Sequence, residues 1–330
     1  MKVAVLFNMN SGMSNLNYEE IGKLIANFLK NVDLYGHTSY GGKNLPDVAE
    51  IISFSKEDLN KKYSQKLCSA VKQFLELGID LFVTIGGDGM ASYVADTIIC
   101  NTDKKHRPSI LGIAAGTANV GPIVNVDIKE LKNHTIDDYV ECSLDAVEVI
   151  SEDEHIGYGF NDIILGNTFL GTVDGQLVNL EAESLILSGS KKIVAIGRKI
   201  ISDNFHLKVN SKIIELDKKN IEQIVISPLK LDHLYGRALY GIFCCCANKK
   251  GMAGISFLER AIVDSEFQYP DNKMFSMQQI AFKTGDFVEF FGLGPDAHII
   301  VDGNPYLRNE NEDVKCKVAF EVINSFKIGR

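Results

Sequence analysis

The sequence predicts an α/β protein with a second, all-β part. An N-terminal doubly wound parallel-sheet domain is followed by a C-terminal β-sandwich-like domain. Three observations carry this prediction. Strand-like apolar runs alternate with segments of helical period up to about residue 113, the pattern of a parallel sheet covered by helices. One of those runs, residues 81–85, leads straight into Gly86-Gly87-Asp88-Gly89. From about Ser143 the helical period fades, and short β-rich runs separated by turn residues take over.

Taken in order, residues 3–8 read as the first strand. Residues 18–30 place Ile21, Leu24, Ile25, Phe28 and Leu29 on one helical face. Residues 48–54 read as a second strand. Residues 55–77 read as a helix with Ser55 as N-cap, Asp58 three residues on, and Gly78 as its stop. A strand at 81–85, a helix at 90–100 and a strand at 109–113 complete the first part. Three of these strands end in polar or glycine loops: Asn8-Met9-Asn10-Ser11-Gly12, the Gly-Gly-Asp-Gly loop, and residues 114–121, which hold Gly116-Thr117-Ala118-Asn119. In a parallel sheet all three open on the edge where ligands bind, so together they indicate a nucleotide or phosphate site. Neither G-x-x-x-x-G-K-[ST] nor G-x-G-x-x-G after the first strand is present, which excludes a P-loop and the standard dinucleotide fingerprint.

Glycines between a strand and a helix let backbone N–H groups approach phosphate oxygens. Asp88, set among them, is repelled by phosphate and needs a different role, either as a metal ligand or as a base toward a hydroxyl. The plainer reading is a strand-to-helix turn that requires positive φ.

The 330 residues suffice for two domains, read as 1–140 and 141–330, with the last residues free to pack back on the first. A net charge of −9 argues against nucleic acid or an anionic membrane as the main partner. No apolar run reaches membrane-spanning length, and the start of the chain is too short in apolar residues for a signal peptide, so a cytoplasmic protein is expected. Seven cysteines are scattered, and Cys244-Cys245-Cys246 reads as small buried strand residues rather than a metal site. The seven histidines show no zinc spacing.

In the second part, strands are expected at 145–150, 157–165, 184–188, 205–209, 221–227, 238–246, 287–291, 298–301 and 314–320, with Asp174-Gly175 and Asp302-Gly303 as turns. Residues 125–139 read as a helix or linker. Asn161-Asp162 opens an apolar strand. By pattern it is a capped turn, while an amide beside a carboxylate also suits a nucleoside. His233 reads as a turn residue, and Lys191-Lys192 as solvated lysines.

These pieces resemble the NAD kinase and diacylglycerol kinase superfamily. The hallmark is Gly86 to Gly89 after its strand, with Met90 where family members usually carry Thr. Gly116-Thr117-Ala118-Asn119 and Asn8-Met9-Asn10-Ser11-Gly12 are similar to the lipid-kinase loops, the latter with Met9 in place of Pro. Asn161-Asp162, the segment 224–229 with Leu234 and Arg237, and Val301-Asp302-Gly303-Asn304 resemble NAD kinase instead. One departure is the NAD-binding Thr-Pro-x-Gly-Ser-Thr-Ala-Tyr segment. Its only counterpart, at 187–192, lacks the Pro, the second Thr and the Tyr.

The resemblance implies a phosphotransferase moving a phosphoryl group from ATP, with Mg²⁺, to a hydroxyl, foremost NAD to NADP. Alternatives are a diacylglycerol- or sphingosine-type lipid kinase and a non-catalytic nucleotide-binding member. It implies phosphate contacts from Gly86, Gly87, Gly89, Asn8, Gly116, Thr117 and Asn119, and a catalytic or Mg²⁺-holding Asp88. Asn161 and Asp162 would hold the substrate. It also implies small-molecule nucleotide partners and a homo-oligomer, dimer or tetramer.

Overall fold

The computed structural model describes residues 1–9, 17–115, 121–174, 176–194, 197–217, 220–229, 249–261 and 276–329. Asn10, Ser11, Gly12, Gly116, Thr117, Ala118, Asn119, Gly175, His233, Leu234, Arg237 and the strand expected at 238–246 with its three cysteines lie outside the described residues. The chain divides into two compact units, Met1–Leu144 with Glu321–Arg330, and Asp145–Phe320.

The first unit is built on a parallel sheet. β1 (Lys2–Phe7) pairs with β2 (Asp33–His37) on one side and β4 (Leu81–Gly86) on the other. β3 (Glu50–Ile52) adds to β2, and β5 (Ser109–Ala114) adds to β4. β6 (Val124–Asp127) pairs with β5, and so does Ser325 near the end of β20 (Val314–Ile328). Alternation along β1 sorts its side chains between the faces. Val3, Val5 and Phe7 share a core with Ile21, Ile25, Phe28 and Leu29 of α1 (Tyr18–Leu29). Phe82 of β4 meets Phe74 of α2 (Tyr63–Glu76) edge to face, and α2 packs on α3 (Asp88–Asn101). Arg107 donates to the carbonyls of Ile99, Thr102 and Val322, tying the returning end of the chain to the last turn of α3.

Two expectations for this unit are corrected. β2 is not among the expected strands, because Asp33-Leu34-Tyr35-Gly36-His37 is short and carries no apolar run; its pairing with β1 and β3 makes it a strand. The helix expected from Ser55 begins at Tyr63. The Ser55 hydroxyl accepts from Asp58 N at 3.3 Å and donates to its carboxylate at 2.8 Å, closing a separate 3₁₀ turn. The Gln65 side chain instead accepts from Lys62 N at the true start of α2. Residues 125–139 hold β6 and two 3₁₀ turns.

The second unit is layered β structure. One antiparallel sheet runs β16 (Met277–Lys283), β15 (Met252–Leu258), β14 (Gln223–Pro228), β9 (Ile163–Gly166), β18 (His298–Val301), β19 (Asn304–Tyr306). Facing strands include β12 (Ile201–Val209), paired with β13 (Lys212–Ile214) and β17 (Val288–Leu293), and β17 pairs with the start of β20. Residues 147–151 of β7 (Tyr139–Ser151) pair with β8 (Glu154–Gly159). Their inward side chains, among them Val147, Leu165, Phe205, Ile224, Phe257, Phe290 and Ile299, form one core. β10 (Thr168–Val173) and β11 (Gln176–Glu181) make a separate hairpin. Residues 184–188, expected as a strand, lie in α4 (Ala182–Ser188), which ends on Gly189 at φ +69°. Short apolar runs such as Leu185-Ile186-Leu187 fit either period, and the glycine stop decides here. The strand expected at 157–165 is interrupted at 160–162 by a turn that separates β8 from β9.

Candidate active site

In the first unit Asn8, Gly86, Gly87 and Asp88 come together at the C-terminal ends of β1 and β4. Asn8 N donates to Ile85 O at 2.8 Å, and the Tyr18 hydroxyl donates to Asn8 O at 3.2 Å. Gly86 closes β4, and its carbonyl accepts from Ala115 N at 3.0 Å, which brings the end of the β5 segment to the same edge. Gly87 is the N-cap of α3 in extended conformation, with φ −105° and ψ 178°. None of Gly86, Gly87 and Gly89 has positive φ, so the plain positive-φ turn does not explain them. Close approach does at Gly86: a Cβ there would sit 3.1 Å from Asn8 Cβ and 3.3 Å from Met90 Sδ. Met90, buried, fills the space beneath Gly86.

Asp88 is the first residue of α3. Its Oδ2 accepts from Gly121 N at 3.1 Å. The carboxylate therefore stands at a helix N-terminus, where negative charge is favoured and first-turn N–H groups lack helical acceptors.

A cavity of about 220 Å³ opens beside Asn8. Phe7, Tyr40, Phe54, Leu59 and Tyr63 give it apolar and aromatic walls, while Asn8, Ser39 and Lys66 supply polar groups. Behind this wall His37 is fully buried, 4.2 Å from the Phe54 ring and 5.4 Å from the Tyr40 ring. Its Nδ1 accepts from Ser39 N at 3.1 Å, which leaves the ring proton on Nε2. Burial pushes its pKa down to about 4, with the Asp58 carboxylate opposing only in part. His37 is thus a neutral brace for the turn bearing Ser39 and Tyr40. Sequence reading singles out none of Ser39, Tyr40, Phe54, Tyr63, Lys66 or His37. Recognising β2 as a strand would have placed residues 38–40 on the ligand edge.

In the second unit, Asn161 and Asp162 occupy the turn between β8 and β9. Asn161 is 7 % exposed, and its Nδ2 donates to Asp162 Oδ2 at 3.1 Å. The backbone of this turn bonds to two other motifs. Asp302, in the β18–β19 hairpin turn, accepts from Phe160 N at 2.9 Å, Asn161 N at 2.9 Å and Asp162 N at 3.0 Å. Ser227, before Pro228, donates through its hydroxyl to Asn161 O at 2.6 Å. Asp302-Gly303 is the hairpin turn expected, with both residues at positive φ, but its carboxylate is also engaged elsewhere. Lys191 and Lys192 are exposed, as expected, and each also makes a surface bond. Lys191 Nζ donates to Thr172 O at 3.0 Å, and Lys192 Nζ lies 2.9 Å from Glu181 Oε2.

Comparison with known proteins agrees with this architecture. Residues 2–124 match the diacylglycerol kinase catalytic domain. A protein of Archaeoglobus fulgidus is 26% identical over 219 residues, 65% of this chain; the match spans 63% of that protein's length. Among solved structures, yeast NADH kinase complexed with NADH superposes over 100% of this chain and 83% of its own, with a TM-score of 0.58 and 11% identity. A putative diacylglycerol kinase of Bacillus anthracis superposes over 100% and 97%, with a TM-score of 0.53 and 12% identity. At such identities the structural likeness speaks for the fold. Residues 2–124 are thus similar to the diacylglycerol kinase catalytic domain, and the whole chain has the fold seen in yeast NADH kinase and in the putative diacylglycerol kinase of Bacillus anthracis.

Proposed function

We propose that the protein transfers the γ-phosphoryl group of ATP to a hydroxyl of a nucleotide acceptor, NAD or NADH. The observation that carries this reading is the Gly86–Asp88 edge. There a glycine strand end, a helix N-terminus and a carboxylate share one point. Phosphoryl transfer needs little covalent chemistry from a protein beyond positioning and electrostatics, and this edge offers both. Backbone N–H groups of the first turn of α3 would receive the phosphates. The aromatic cavity suits a flat base, with Lys66 as a cation at its wall. Asp88 would act on the acceptor hydroxyl as a base or hold Mg²⁺. The donor chemistry fits a hard divalent cation, since Mg²⁺ takes one or two carboxylates together with substrate phosphates. Bound there, Mg²⁺ would neutralise phosphate charge. Asn161 and Asp162 would bind the acceptor nucleotide through an amide and a carboxylate.

The test is an end-point assay with purified protein, Mg²⁺, ATP and either NAD or NADH, read with enzymes specific for the phosphorylated products, beside Asp88→Asn. Product from the wild type alone supports the reading. No product from a folded wild type sinks it.

The match of residues 2–124 to the diacylglycerol kinase catalytic domain favours a second reading, a lipid kinase. Labelled-ATP assays with diacylglycerol or sphingosine in vesicles separate the two. No described helix is long and apolar enough to cross a membrane.

A further inference from the structure

Two motifs far apart in sequence, residues 224–229 and 301–304, bond to the same three-residue turn. The turn at 160–162 could have been capped locally, because Asn and Asp side chains readily bond their own backbone. It is not built that way. Its three consecutive N–H groups are accepted by one carboxylate, that of Asp302, 140 residues further on. Two of its carbonyls are bonded as well: Ser227 Oγ donates to Asn161 O at 2.6 Å, and Asp302 N donates to Asp162 O at 3.0 Å. Asp302 is 6 % exposed and Ser227 is 1 % exposed. Burying a carboxylate is costly unless it is hydrogen-bonded, and charge-assisted bonds to N–H are the strong kind. The arrangement fixes the backbone of the turn through Asp302 and Ser227.

We infer that Asp302, seconded by Ser227, is the positioning residue of the acceptor site, holding the 160–162 turn so that Asn161 and Asp162 meet the acceptor nucleotide. This rests on the acceptor role proposed above for those two residues. Asp302→Asn keeps size and one oxygen. Oδ1 can still accept from Asn161 N and Asp162 N, but the amide NH₂ then faces Phe160 N–H, donor against donor. Ser227→Ala removes only the bond to the Asn161 carbonyl.

The experiment measures the affinity of NAD, NADH and MgATP for the wild type and both variants by calorimetry, with hydrogen exchange followed across 159–163. Asp302→Asn is expected to weaken NAD or NADH binding at least tenfold while MgATP binding stays within twofold, and to speed exchange at 160–162. Ser227→Ala moves the same quantities in the same direction by a smaller factor, and carries the test if Asp302→Asn does not fold. A merely structural role would weaken MgATP and acceptor alike. Parallel losses overturn the inference, as does unchanged acceptor binding in a folded variant. If the wild type binds neither NAD nor NADH, the proposed acceptor fails, and exchange alone decides the inference. Faster exchange at 160–162 with MgATP binding intact supports Asp302 as the holder of the turn; unchanged exchange overturns it.

Discussion

The Gly86–Asp88 edge and the Asn161–Asp162 turn are assembled in opposite ways. At the first, a strand end, a helix cap and a carboxylate are consecutive residues, so the chain's local order supplies most of the geometry. At the second, the pair proposed to bind the acceptor is local, but the groups that hold its turn come from 66 and about 140 residues away. A local site can be read from its motif. A site held at long range displays its ligand-binding residues in sequence and hides its supports.

The largest effect is expected at the local site. Asp88→Asn keeps the bulk of the side chain and an acceptor for Gly121 N, so the fold should survive. Loss of a positioned base or metal ligand costs about 10²–10⁴ in rate. Steady-state turnover with an unchanged circular dichroism spectrum checks this. A folded variant with turnover near wild type removes Asp88 from the chemistry.

Next comes the pH dependence of stability, where His37 should dominate the first unit's response to mild acid. Its folded pKa of about 4 lies below the ordinary histidine value. The unfolded chain therefore takes up a proton first as pH falls through about 6.5. Stability contributed by neutral His37 is complete above that pH and is lost toward pH 4, at up to about 1.4 kcal/mol per pH unit. Denaturant unfolding of wild type and His37→Phe at pH 4 to 7 isolates the histidine, since other titrating groups are common to both. The variant should show the shallower slope, and equal slopes would mean His37 is not the buried neutral brace described.

Lys66 at the cavity wall should matter less. An incompletely buried lysine facing a polyanion gains little in water and is screened by salt. Lys66→Ala is expected to raise the KM for ATP about two- to fivefold, with kcat unchanged and the effect fading in high salt. No change at low salt would place the nucleotide outside the cavity.

Much of the fold is legible in the sequence. The parallel sheet, the β-rich second part and the strand–glycine–helix junction follow from periodicity and from glycines at the end of an apolar strand. What escapes has a physical reason in each case. β2 is a strand by virtue of neighbours on both sides rather than by its own residues. With it goes the aromatic cavity, whose wall residues lie on short loops and on α2 with no shared spacing. Asp302-Gly303 carries a hairpin signal strong enough to account for both residues, so nothing in the sequence announces the second use of the carboxylate. Gly86 reads as a turn or phosphate glycine, and the crowding by Asn8 and Met90 that its missing Cβ relieves depends on contacts that only the folded chain supplies.

The smallest effect sharpens the same contrast from the side of a misread local signal. Ser55 followed by Asp58 looks like a helix start, and a true N-cap serine is worth about 1 kcal/mol when replaced by alanine. In the structure the pair closes an isolated 3₁₀ turn, and α2 begins eight residues later at Tyr63 with Gln65 bonding back to Lys62. The bonds of Ser55 are exposed, and water replaces such partners readily. Ser55→Ala should therefore shift unfolding free energy by no more than about 0.5 kcal/mol, the range of surface changes. Gln65→Ala, which removes the acceptor at the real start of α2, should cost more than Ser55→Ala. Chemical denaturation of the two variants side by side checks the order, and the reverse order would return the helix start to Ser55.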